Sequence, residues 1–341
     1  MKNKMSNSNL SSRVIQNLNN RIFSKKPINI RDTILVAGSP RSGTTWFADI
    51  LSNIPKYTYI FEPLNPIWFP EAYKVGFKSR SYLVSNIDWQ EGEDYLRKIF
   101  TGNIANLPIK ENIVFDLLKG FSIKNSINHL FGNKLIVKST SMNRMLPWIS
   151  KKFDLRTIFL IIRHPCACIS SQMKSDLYGY RSSSPPFIDI KPTKKIILDE
   201  IKEMKELNEK IISKIKNIEK IEEILATVWC LDNYILLSQK KPYPWKIVFY
   251  EKLIKEGKSE IKNIFNEIGE KNIPRSALNK FRKPSVVTMN EDKKILHKPK
   301  KQLSKWREYL SDKQISRILK IISYFEIDFY SENIEPNYEK I

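Results

Sequence analysis

Cysteine and histidine are scarce in this chain, three of each in 341 residues. Cys166, Cys168 and Cys230 are odd in number, and none sits in a paired CxxC knuckle. That counts against a structural zinc or a disulfide framework and leaves reduced core thiols. His129, His164 and His297 form no HExxH motif and stand in no paired-carboxylate cluster, so no metal centre is expected. No apolar run approaches 18 residues, which excludes a transmembrane helix. The opening stretch MKNKMSNSNLSSRVIQNLNN lacks the apolar core of a secretory signal, and the expected location is the cytoplasm. Acidic residues are also short, 36 Asp plus Glu against 58 Lys plus Arg, a net charge of +22. Such an excess asks for an anionic partner. Two other sources compete: lysine-rich usage on solvated helix faces, and a nucleic-acid or anionic-membrane surface. The basic residues read as spread along the chain rather than gathered in one arm, so no nucleic acid is expected.

With 41% hydrophobic and 11% aromatic residues the chain can bury a sizeable core. Short runs rich in β-branched residues occur at 33–37 (TILVA), 57–61, 135–137 (LIV), 157–162 (TIFLII) and 246–250 (KIVFY), each followed by a helical segment. That alternation implies a doubly wound, mostly parallel α/β sheet of about five strands, flanked by helices. Residues 1–31 are expected as a polar basic tail, 32–330 as one domain, and 331–341 as a second tail. A helical insertion is expected over about 178–240. Within it, one helix from after Pro192 to about Leu237 would carry an apolar stripe from Ile197 to Leu225. That stripe is either core or the seam of a homo-oligomer. Ser311 to Gln314 has the S-x-x-Q capping-box pattern ahead of a closing helix at 315–325. Residues 67–131 give no clear assignment.

Ligands of open parallel sheets bind beyond the carboxyl ends of the strands, so the residues at those ends bear most directly on function. The first ends in GSPRSGTTW (38–46), the second in Glu62, the third in Lys138, the fourth in Arg163 and the fifth in Tyr250 and Glu251. The first is a glycine-bearing turn feeding a helix, a P-loop-like anion nest to which Ser42, Thr44 and Thr45 add hydroxyls. Gly38 and Gly43 fit the GxxxxGK[ST] template, but Thr44 stands where the lysine should be. Where a nucleotide kinase or NTPase would place a magnesium-binding carboxylate, this chain places Lys138 and Arg163. A dense anion held without metal is the consequence.

GSPRSGTTW resembles the 5′-phosphosulfate loop of sulfotransferases that use 3′-phosphoadenosine 5′-phosphosulfate (PAPS). IIRHPCACISS (161–171) resembles their 3′-phosphate motif, with Arg163 and Ser171 at the family's spacing. VFYEKL (248–253) resembles the strand end whose tyrosine, here Tyr250, lies near the adenine. KPKKQLSKWREYLS (298–311) is similar to the C-terminal loop whose basic residues close over the 3′-phosphate, which implicates Lys300 and Lys301. The resemblance implies PAPS as donor, 3′-phosphoadenosine 5′-phosphate (PAP) as product, and a nucleotide site of Pro40, Arg41, Ser42, Gly43, Thr44, Thr45, Trp46, Arg163, Ser171 and Tyr250. It assigns Arg41 and Lys138 to the departing oxygen and the sulfuryl group.

The family's small-molecule members place a histidine two residues after the strand-three lysine as base. Here that position is Thr140, whose hydroxyl cannot accept the proton at neutral pH. The chain is thus closer to the carbohydrate-acting and bacterial members, which implies Glu62 in FEPLNP as general base and a glycan, glycolipid or other hydroxyl as acceptor. The competing reading of Glu62 is a carboxylate that only pairs with Arg41 or Lys138. His164 is expected as structural. Trp46 either stacks near the adenine or fills core, and Asn143 and Arg144 either touch ligand or do not. The alternatives to transfer are a P-loop kinase or NTPase, and a basic module on nucleic acid or peripherally on a membrane.

Overall fold

The computed structural model describes residues 27–66, 69–103, 132–174, 192–283 and 298–341. Five strands, β1 (Thr33–Gly38), β2 (Tyr57–Phe61), β3 (Lys134–Ser139), β4 (Thr157–Ile162) and β5 (Lys246–Phe249), form one parallel sheet in the order β2-β3-β1-β4-β5. The helices in chain order begin with α1 (Thr44–Leu51), α2 (Pro70–Val75), α3 (Gln90–Phe100), α4 (Leu146–Lys152) and α5 (Pro165–Lys174). The insertion holds α6 (Lys194–Glu203), α7 (Glu209–Ile215) and α8 (Ile221–Leu237). After β5 come α9 (Tyr250–Glu256), α10 (Lys258–Glu267), α11 (Arg275–Phe281), α12 (Pro299–Ser304) and α13 (Asp312–Tyr324). The doubly wound α/β class expected from the apolar runs is the one observed. Among the described residues no helix is long and apolar enough to cross a membrane.

Successive side chains of a strand point to opposite faces, and both faces of this sheet are covered. Leu35, Ile60, Val137 and Leu160 join the core under α4, α5, α8 and α13, while Ile34, Val36, Ile136 and Phe159 join the core under α1, α10 and α11. The chain passes from β3 across β1 to β4, so the carboxyl end of β1 opens between strands whose connections run opposite ways. That is the crevice in which such sheets bind ligands.

The insertion departs from the expected single helix. At 204–208 the Asn208 side chain accepts from the Lys210 amide and starts α7 afresh. Glu223 then reaches back to the amides of Glu219 and Lys220 and starts α8 (3.0 and 2.9 Å). The apolar stripe survives these breaks because each short helix buries its own face. Ile197, Ile201, Met204, Leu207, Ile211, Ile215, Ile218 and Leu225 are all buried, and only Ile221 is 37% exposed. The stripe is therefore core. Tyr250 heads α9 instead of ending β5. The capping box of Ser311 and Gln314 is formed, and α13 follows it.

Residues 331–341, expected as a tail, lie against the body. The Asn337 amide donates to the Phe329 carbonyl (2.8 Å), and Ile334 and Ile341 pack on the core. Of the aromatics between Glu62 and Pro192 that could either stack on a sugar ring or fill core, Phe69 is buried, Trp89 packs on the core and Tyr73 is exposed. Trp68, Tyr178 and Tyr180 lie outside the described residues.

Candidate functional site

The loop after β1 is shaped by close approach. A Cβ on Gly38 would stand 2.6 Å from the Ile161 carbonyl oxygen and 2.7 Å from Ser42 Oγ. The Gly38 amide donates to Asn143 Oδ1 (2.7 Å), and Asn233 Nδ2 donates to Ser39 Oγ (3.0 Å). Two successive kinks follow, Arg41 at φ 69° and Gly43 at φ 99°. Gly43 is required there twice over, by its left-handed backbone and by the Tyr250 ring, 2.6 Å from where its Cβ would lie. No side chain caps α1, so its first amides face the loop with Ser42, Thr44 and Thr45 buried around them.

The second motif interlocks with the first. Arg163, just beyond β4, donates to the Arg41 carbonyl (3.0 Å) and lies over the Tyr250 ring, 4.3 Å from its centroid. Arg41 Nε donates to Ser171 Oγ (2.9 Å) from α5, and Gln172 Nε2 to the Pro40 carbonyl (3.4 Å). Trp46 sits 5.7 Å from Tyr250 and 5.2 Å from Phe281. Gln302 on α12 donates to the Tyr250 hydroxyl (2.7 Å), which brings the C-terminal basic segment alongside, with Lys300 and Lys301 exposed. Residues 41, 163, 171 and 250 are thus joined by direct contacts across four segments.

On the other side of β1 lies the third group. Glu62 leaves β2 at φ 46°, its amide bonded to the Lys138 carbonyl (2.7 Å). Its carboxylate pairs with the Lys138 ammonium, and both residues are buried. Thr140 donates its hydroxyl to Oε1 (2.8 Å) and its amide to Oε2 (2.9 Å). Left-handed backbone at a non-glycine residue costs energy and concentrates at functional sites, and Arg41 and Glu62 both carry it.

Several buried donors in this crevice have no partner among the described residues: Ser42 Oγ, Asn143 Nδ2 and Arg163 Nε. Unsatisfied buried donors cost about 1–3 kcal/mol each, and a bound anion would satisfy them. The donor set, one helix terminus, several hydroxyls and three buried or half-buried cations, fits a ligand dense in phosphate-like charge.

Three residues near these strand ends take parts that their sequence positions do not reveal. Thr140 was rejected as a base, yet it holds the carboxylate that could serve as one. Asn143 shapes the loop through the Gly38 amide. Arg144 lies elsewhere: it is buried and pairs with Asp232 (2.8 Å) and Glu200 (2.7 Å), tying a turn to the insertion. His164 is structural, stacked on Trp306 at 4.7 Å, with Nδ1 accepting from the Cys166 amide (3.2 Å) and Nε2 facing the Ser331 carbonyl (3.0 Å). Burial holds its pKa down to about 4. Beside it the Glu251 carboxylate accepts from the His164 amide (2.8 Å) and the Tyr330 hydroxyl (3.1 Å), and burial pushes its pKa up to about 7. Spacing after Lys138 points to Thr140 and the strand end points to Glu251, but nothing local points to the buried partners of Arg144 or Glu251.

The chain is similar in structure to the sulfotransferase domain from the Synechococcus PCC 7002 olefin synthase, with 17% identity, 90% of this chain and 97% of that one covered, and a TM-score of 0.44. It is similar also to the sulfotransferase domain from the curacin biosynthetic pathway, with 16% identity, coverage of 86% and 96%, and a TM-score of 0.41. No curated protein matches it. The family model described as sulfotransferase domain matches residues 31–326, most of the chain. On that match the chain belongs to the sulfotransferase domain family and is a sulfotransferase enzyme.

Proposed function

We propose that this protein transfers the sulfuryl group of PAPS to a hydroxyl of a glycan or glycolipid and releases PAP. The observation that carries the reading is the interlock of Arg41, Ser171, Arg163 and Tyr250 around buried donors that lack partners. It joins the two stretches that resemble the 5′-phosphosulfate loop and the 3′-phosphate motif.

PAPS, when bound, supplies the sulfuryl group. The chain's own residues do the rest. Ser42, Thr44, Thr45 and the first amides of α1 hold the 5′-phosphate, and Arg163 and Ser171 hold the 3′-phosphate, with Lys300 and Lys301 above it. Tyr250 and Trp46 border the base. Arg41 and Lys138 offset negative charge as it develops on the oxygen that leaves sulfur.

Glu62 is the base of this reading. Oε1 is taken up by Lys138 and the Thr140 hydroxyl, and its hydrogen bond from the Thr140 amide is the longer one, at 3.1 Å. Oε2 accepts from that amide alone among the described contacts, which leaves it a lone pair for the acceptor proton. The acceptor oxygen bonds sulfur, the bond from sulfur to the 5′-phosphate oxygen breaks, and the acceptor proton goes to Oε2. Pairing with Lys138 and service as base are compatible, since they use different oxygens. Glu62→Gln keeps the shape and removes the base. Transfer should fall at least 100-fold, within the usual range for a general base, while the thermal shift given by PAP persists. Unchanged transfer would remove Glu62 from this role.

A further inference from the structure

Residues 271–283 and 298–307 carry five Lys or Arg each and not one Asp or Glu. At the ratio of the whole chain, 36 acidic to 58 basic, ten cations would bring roughly six acids with them. General lysine-rich usage therefore does not account for these two stretches, although it can account for much of the remaining charge.

The fold sets them side by side at the mouth of the site. Ser276, near the start of α11, bonds the Asn53 carbonyl beyond the far end of α1 (3.0 Å), while Phe281, at the end of α11, meets Trp46 in the first turn of α1. That orientation delivers Arg282 and Lys283 to the crevice. The second stretch arrives through the contact of Gln302 with Tyr250. Arg282, Lys283, Lys298, Lys300 and Lys301 thus lie on the two segments that meet this aromatic pair, all exposed, and none has an acidic partner among the described residues. Lys280 differs, turned inward to Asp49 (3.1 Å). The transfer reading already commits Arg41, Lys138, Arg163, Lys300 and Lys301 to the nucleotide, so Arg282, Lys283 and Lys298 exceed what one nucleotide needs.

We propose that this ridge binds the acceptor, and that the acceptor is a polyanionic glycan, a polysaccharide with repeated carboxylate or sulfate groups laid across the mouth with a hydroxyl presented to Glu62. The proposal rests on the sulfuryl-transfer reading and narrows its acceptor. A bilayer would be held by apolar side chains beside the charge, and single-stranded nucleic acid by exposed aromatic rings. Neither stretch exposes a large hydrophobic side chain; Tyr309, exposed two residues beyond the second, has its ring under the ammonium groups of Lys174 and Lys305. Charge spaced along a hydrophilic chain is what the ridge matches.

The test is binding of size-defined dextran sulfate across a salt series, beside neutral dextran, phosphatidylglycerol vesicles and single-stranded DNA of equal charge. The wild-type protein should hold dextran sulfate most tightly and neutral dextran not at all. The triple variant Arg282→Ser, Lys283→Ser, Lys298→Ser should bind dextran sulfate at least tenfold more weakly. Its salt slope should be smaller by about 2, at roughly 0.7 per lost contact, with the thermal shift from PAP unchanged. A control triple on the insertion, Lys202→Ser, Lys210→Ser, Lys214→Ser, should bind as the wild type does. Wild-type binding by the first triple would overturn the proposal, as would tighter binding of vesicles or DNA. If PAP gives no thermal shift while dextran sulfate binds, the transfer reading falls and the ridge loses its role as an acceptor surface.

Discussion

Glu251 and His164 sit in one buried network and titrate in opposite senses, so removing either should expose the other. The Glu251 carboxyl is raised to about 7 from an ordinary 4.5. Between those values the folded state holds a proton that the unfolded state has lost, and stability falls as pH rises. The His164 imidazole is lowered to about 4 from 6.5, so there the unfolded state holds the extra proton and stability climbs with pH. Each group contributes about 1.4 kcal/mol per pH unit across its window, or about 3 kcal/mol in all. Over the shared window, about pH 4.5 to 6.5, the two slopes cancel. The assay is urea unfolding of wild type, Glu251→Gln and His164→Gln from pH 4.5 to 7.5, with differences from wild type isolating each group. The stability of wild type relative to Glu251→Gln should drop by about 3 kcal/mol as pH rises from 4.5 to 7. Relative to His164→Gln it should rise by a similar amount up to pH 6.5. A pH-independent difference for Glu251→Gln would refute the burial argument for that carboxylate.

Three further outcomes follow from the same contacts. Gly43→Ala forces a left-handed backbone on alanine and drives its Cβ into the Tyr250 ring; thermal unfolding should show a loss of about 1–3 kcal/mol, and PAP should shift the melting temperature less. Arg144→Met leaves Asp232 buried without its partner and should cost about 3–5 kcal/mol by denaturant unfolding. Its affinity for PAP, measured where the variant is still folded, should match the wild type, because Arg144 is buried against Asp232 and Glu200. Arg163→Ala removes a charge-assisted contact worth about 1.5–3 kcal/mol, so calorimetry should show PAP binding weakened about 10- to 150-fold with AMP little changed. Equal losses for both nucleotides would place the 3′-phosphate elsewhere.

Strand positions were legible in the sequence because a buried parallel strand needs a short apolar run rich in β-branched residues, and 157–162 (TIFLII) and its counterparts supply one. The loop at 38–46 was legible because two glycines and four hydroxyl residues leading into a helix have few other uses. The insertion was misread as one helix because an apolar stripe at helical spacing reports which face is buried and not whether the backbone is continuous. The competing capping contacts of Asn208 and Glu223 decided that. Asn143 and Arg144 could not be separated by sequence at all: adjacent residues, one bonded to the Gly38 amide and the other paired with Asp232 and Glu200.

By itself the sequence determined the sheet class, the carboxyl ends of its strands and the sign of the ligand, since these depend on local periodicity and on residue type at fixed offsets. The tertiary structure alone decided which charges meet. Arg41 finds Ser171 across 130 positions because β1 lies beside β4, and Lys138 finds Glu62 across 76 because β3 lies beside β2. The same packing gathers a small part of the apparently scattered +22 near one mouth, by bringing the C-terminal end of α11 against Trp46 and α12 against Tyr250. Coulomb interactions fall off with distance in space, and strand order sets that distance, which no spacing along the chain encodes.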